Sequence, residues 1–161
     1  MIQLPHAEVD WKLNAFCKFK CTYCFSEYKN GEIDKTVDQY LNIIWKLQRT
    51  RYKQHKKIYW KIGGGEPLHY PHLGILLSEM RKRLSLIRLD TSGDDNWFTM
   101  YGVLNLVDTV KLTHHHWQNE NVLEFIIDKC IELNKKITIV VPLEPGLINE
   151  TREKKIGRAH V

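Results

Sequence analysis

Two kinds of hydrophobic pattern take turns along this chain. Val9 to Phe16 reads as a strand that runs directly into Cys17. A polar stretch with an Asn30-Gly31 turn follows. From Thr36 to Arg49 the apolar positions Val37, Tyr40, Leu41, Ile44 and Leu47 fall on one helical face. Ile58 to Ile62 predicts a second strand ending in Gly63-Gly64-Gly65-Glu66-Pro67, and a helix is expected from Leu73 to Leu84. Leu86 to Leu89 predicts a third strand and Leu106 to Leu112 a fourth. A helix from Asn119 to Leu133 carries Val122, Phe125, Ile126, Cys130 and Leu133 on one side, and the β-branched run Lys136 to Val141 predicts a fifth strand. Strands separated by helix-length segments imply repeated β-α units and a parallel sheet, hence an α/β fold.

Composition narrows the class. The 161 residues favour one domain, and 43% hydrophobic with 27% charged residues suffices for a buried core. No apolar run reaches membrane-spanning length and no secretory signal opens the chain, so a compact cytoplasmic domain is expected. A net charge of +5 is too small to argue for nucleic acid. Four cysteines do not make a disulfide scaffold. Three of them, however, fall within eight positions.

Cys17, Cys21 and Cys24 have the spacing C-x3-C-x2-C, which lets one loop fold three thiolates around one metal centre. Structural zinc and iron–sulfur sites normally take four protein ligands. Three with no fourth nearby suggest a centre with an open coordination position. The alternative is a zinc-stabilised binding module completed by a histidine such as His6 or His55. Cys130, on an apolar helix face, reads as a buried structural thiol. In parallel α/β folds ligands gather at the carboxyl ends of strands. Here those ends carry the cysteine cluster, the glycine run with its acid, Thr91-Ser92-Gly93, and Thr113 with His114, His115 and His116.

The run Cys17 to Cys24, with Tyr23 before the third cysteine, resembles the signature loop of the radical S-adenosylmethionine (radical SAM) enzymes. Gly64-Gly65-Glu66-Pro67 resembles their second motif, placed after the second strand. The resemblance extends from about Val9 to Val141. It implies an incomplete (β/α)6-type partial TIM barrel with about five β-α units present. It also implies a 4Fe-4S cluster on Cys17, Cys21 and Cys24, and S-adenosyl-L-methionine on its open iron. Reductive cleavage would give a 5′-deoxyadenosyl radical that takes hydrogen from a peptide, protein or small metabolite. An external one-electron reductant such as flavodoxin or ferredoxin would be the partner.

By the same resemblance Tyr23 lies near the adenine, and Gly64 to Pro67, with the Glu66 carboxylate, receive the methionine ammonium. Ser92 stands where relatives carry asparagine, and Thr113 with one histidine of His114, His115 and His116, assigned as His115, is expected to approach the ribose and carboxylate. Lys18 and Lys20 would offset cluster charge, and Trp97, Phe98 and Trp117 would wall a substrate pocket. The domain is expected over 1–154. The last seven residues, 155–161, can be encoded by a stretch of common sequencing adapter and read as a non-native tail; without Lys155 and Arg158 the net charge falls from +5 to +3. On that reading the chain is an N-terminal fragment lacking the last unit of the barrel.

Overall fold

The computed structural model describes residues 7–19, 21, 24, 35–53, 57–82, 85–93, 97–115 and 118–142. Tyr23, Lys20, His6, His55, His116, Trp117 and the 155–161 tail lie outside them. Among the described residues, five strands alternate with helices: β1 (Ala7–Asn14), α1 (Val37–Lys53), β2 (Ile58–Gly64), α2 (Leu73–Arg81), β3 (Leu86–Thr91), α3 (Trp97–Leu104), β4 (Thr109–Thr113), α4 (Glu120–Glu132) and β5 (Lys136–Val140). All neighbours pair in parallel in the order β1-β2-β3-β4-β5. The expected α/β parallel sheet is therefore present, and each β-α unit lays its strand beside the one before. Among the described residues no helix is long and apolar enough to cross a membrane.

Local chemistry sets the helix starts. Thr36 Oγ1 accepts from Gln39 N at 3.3 Å, while Gln39 Oε1 accepts from Thr36 N at 2.9 Å. This reciprocal box satisfies two amide donors that the first turn of α1 leaves unpaired. Asn119 does half of the same work for α4, accepting from Asn121 N at 3.0 Å. At the other end of α2, buried Gln48 of α1 donates to the carbonyls of Glu79 and Met80 at 3.2 and 3.1 Å. It thereby holds two helices together through carbonyls near a helix terminus.

The sheet is two-sided. Every second residue points to the helices: Leu13, Trp60, Ile62, Ile87, Leu89, Val110 and Leu112 are each at most 1% exposed. They pack against Tyr40, Ile44, Leu76, Leu77, Met80 and Ile126, with Trp11 and Trp60 rings 5.7 Å apart. The other face carries Glu8, Asp10, Lys12, Lys61, Arg88, Asp90, Thr109 and Lys111. A closed barrel fills its interior with branched apolar side chains. This charged face cannot form such a core, and it stays open to water as the wall of a cleft.

Two expectations need correction. The fourth strand begins at Thr109, not Leu106, and an unforeseen helix, α3, precedes it. Residues 97–104 are nearly all apolar, so they show neither a 3.6 nor a 2.0 period. Leu106 and Val107 instead close the turn after α3, donating to the carbonyls of Val103 and Leu104. Val107 is wholly buried there. Asp108 fixes the start of β4 by holding Arg81 through both oxygens (2.7 and 2.8 Å) and accepting from Ile87 N at 2.8 Å.

Candidate functional site

The site grows from the way β1 and β2 end. Gly65 N donates to Asn14 O at 2.8 Å and Glu66 N to Phe16 O at 2.9 Å, so the glycine run is laced to the chain entering the cysteine loop. The approach leaves no room for side chains. A Cβ on Gly65 would stand 2.2 Å from Phe16 O, and one on Gly64, whose φ is +121°, would stand 2.7 Å from Asn14 O. The glycines serve the contact between the two motifs.

The loop itself is held by rings. Phe16 and Phe19, flanking Cys17, pack on His69 with centroids 5.4 and 5.9 Å away, and Phe19 also faces His115 at 6.3 Å. Lys18 lies over the Phe19 ring at 5.5 Å. Cys24 N donates to Cys21 O at 3.3 Å.

Glu66 is 1% exposed and sits at the centre of the rim. Its Oε1 accepts from Leu68 N (3.1 Å) and Thr91 Oγ1 (2.5 Å); its Oε2 accepts from Ser92 N (2.9 Å) and Ser92 Oγ (2.6 Å). An ionised carboxylate has about four acceptor positions, and this chain fills all of them. The Glu66 side chain thus braces the end of β2 to the end of β3. Thr91 and Ser92 are its clamps.

Gln118 carries the brace onward. Its Nε2 donates to the carbonyls of Ser92 and Gly93 (2.7 and 3.3 Å), and its Oε1 accepts from His115 N at 2.7 Å. His115, 5% exposed, places Nε2 3.9 Å from Cys21 Sγ. A circuit of polar contacts thus runs from the cysteine loop through Glu66, Ser92, Gln118 and His115 back to Cys21. Gln118 carried no sequence signal, since its partners are a turn 25 residues away and a backbone amide.

One cavity of about 580 Å³ collects these ends. Cys17, Cys21, Cys24, Gly64, Gly65, Glu66, Ser92, Thr113 and His115 all line it. Pro67 does not; it is buried at the start of a 3-10 turn capped by Glu66. Asp10, Lys12, Asp90 and Lys111 line the same cavity without having been singled out. Their signal was the polar alternation in β1, β3 and β4. Among the described residues no three His, Cys, Asp or Glu side chains stand close enough to make a metal-binding group. The three cysteines nevertheless sense one another. Burial pushes the Cys17 thiol up, a hydrogen bond from the Phe19 backbone acts the other way, and the charges of Glu66, Cys21 and Cys24 push it up further. Cys130 lies far from the cavity, wholly buried, with its thiol pushed up to about 11 by burial.

Comparison with known proteins agrees with this architecture. SuiB of Streptococcus suis superposes with a TM-score of 0.51 at 16% identity, over 89% of this chain and 41% of that one. The chain thus spans less than half the length of that protein, and the likeness is one of fold. No curated protein matches the sequence. Residues 11–154 match the model of the Radical SAM superfamily, and the chain belongs to that superfamily.

Proposed function

We propose that this chain holds a 4Fe-4S cluster on Cys17, Cys21 and Cys24 and binds S-adenosyl-L-methionine across the ends of β2 to β4. Membership of the superfamily implies cleavage of S-adenosylmethionine with an iron–sulfur cluster. The observation that supports the residue assignment is the shared cavity, which Cys17, Cys21 and Cys24 line together with the glycine strand end. The donor set fits. Thiolates suit iron, and three of them leave one coordination position for a small ligand. When bound, the cluster supplies one electron to the sulfonium, releasing methionine and a 5′-deoxyadenosyl radical that takes hydrogen from the substrate.

The chain's own residues hold and shield. With the Glu66 carboxylate committed to its clamps, an ammonium group at the end of β2 is received by main-chain carbonyls of the glycine run. Thr113 and His115 stand across the cavity for the ribose and carboxylate. His115 lies beside Cys21, where an N–H aimed at a ligand sulfur raises the reduction potential. Tyr23 belongs beside the adenine in this reading. The domain is assigned to 1–154, with a cytoplasmic location and a flavodoxin- or ferredoxin-type electron donor. Nothing found supports the zinc alternative, whose named histidines lie outside the described residues.

Anaerobic reconstitution with iron and sulfide tests the assignment. The expected result is a broad brown absorbance with about four irons per chain, lost in Cys17→Ala, and 5′-deoxyadenosine on adding reductant and S-adenosylmethionine. A colourless protein that takes up one zinc overturns it.

A further inference from the structure

The wall of the cavity below the rim has a charge pattern that neither cluster nor cofactor chemistry uses. The pairing register puts Lys12 beside Gly63 and Asp90 beside Lys111. The Cα of Gly63 is turned so that a Cβ there would lie 3.6 Å from the Asp90 Cβ. Lys12, Gly63, Asp90 and Lys111 therefore form one row across β1 to β4, just inside the rim, and all four line the cavity.

The charge of Lys111 is not matched within this row. Arg88 already holds both oxygens of Asp90, at 2.7 and 2.8 Å, so the negative charge of that carboxylate is matched by a guanidinium. Lys111, half-buried, has no hydrogen-bond or ion-pair partner among the described residues. The other acid of the wall, Asp10, is exposed and lies three strands away, about 14 Å at the usual strand spacing. At that distance in a water-filled cleft it does little for an ammonium group. The glycine at the centre of the row supplies the space that a bound group needs.

We propose that Lys111 marks an anion site on this wall, where it anchors a carboxylate or phosphate of the substrate. The site rests on reading the rim above as the cofactor site and gives that reading a substrate class. Substrates are then anionic small molecules or acidic segments, and neutral or apolar ones are rejected by the row.

The test is an NMR titration of the full chain with three probes: N-acetylglycine, its neutral amide and inorganic phosphate. It is run as purified and again after reconstitution with saturating S-adenosylmethionine, which keeps the cofactor's own carboxylate from competing. The expected result is that an anion binds and the amide does not. Lys111→Met should weaken anion binding about tenfold and Lys111→Arg should largely keep it. Lys61→Met, which removes a lysine paired with Glu8 outside the cavity, should change nothing. Whichever of carboxylate or phosphate binds tighter names the source of the anion. Equal binding of acid and amide, or unchanged anion binding in Lys111→Met, overturns the proposal. So does a Lys111→Met variant that loses S-adenosylmethionine affinity in place of anion affinity, since Lys111 then serves the cofactor. Failure to assemble a cluster refutes the functional reading alone, because the as-purified titration still decides the anion site.

Discussion

The two faces of the sheet are made from alternate residues of the same strands, yet they obey different rules. On the helix side Trp60, Ile87, Leu89 and Val110 are wholly buried, and what matters is the volume each fills. On the open side Lys61, Arg88 and Asp90 keep about a quarter of their side-chain surface, and what matters is which charge meets which. One face holds the fold together, while the other is free to vary with the ligand. The rim, where Gly65 and Glu66 sit, is the seam between them and answers to both demands.

Substitutions separate the three regimes by size. Trp60→Ala on the helix side should cost the most, about 3–5 kcal/mol in urea unfolding. A loss below about 1 kcal/mol would mean that this face is not the core. At the seam, Gly65→Ala drives a methyl into the Phe16 carbonyl, at about 1–3 kcal/mol, and should also lower iron content after reconstitution. Glu66→Gln keeps the shape but turns an amide donor toward the donors that the carboxylate accepted. A loss of about 1–3 kcal/mol is expected in the metal-free chain. A stable variant that merely binds S-adenosylmethionine less well would return Glu66 to the role of ligand.

Cys130 gives a pH-dependent version of the same contrast. Its thiol is neutral in the fold up to about pH 11, whereas an ordinary thiol ionises near 9. The unfolded chain then holds fewer protons than the folded one, so the contribution is fully present below about pH 9 and is lost as pH rises toward 11. Urea midpoints measured from pH 8 to 11 should fall more steeply for the wild type than for Cys130→Ala. The smallest effect belongs to the open face. Lys61→Met, breaking a half-exposed pair with Glu8, should shift stability by no more than about 0.5 kcal/mol.

These regimes also explain what was readable beforehand. The helix side announces itself through periodicity, so all five strands and helices α1, α2 and α4 were visible in the sequence. Helix α3 was not, because an almost wholly apolar segment has no polar face to mark its period. The rim was readable where one short segment carries the chemistry, as in Cys17 to Cys24 and Gly63 to Glu66. It was unreadable where function depends on a distant partner. The Glu66 carboxylate looks like a ligand in sequence, and only the fold brings Thr91 and Ser92 to it. Gln118 and Lys111 are single polar residues whose meaning comes from the neighbouring strand end.

The strictly consecutive strand order has a consequence for synthesis. Each strand pairs only with those before and after it in the chain, so the sheet can be laid down in the order in which residues emerge from the ribosome. Among the described residues, the cavity lining ends at His115, ahead of α4 and β5. The pocket is therefore spelled out before its last supporting unit is made, and a nascent chain paused after β4 already carries every cysteine and glycine that the site employs.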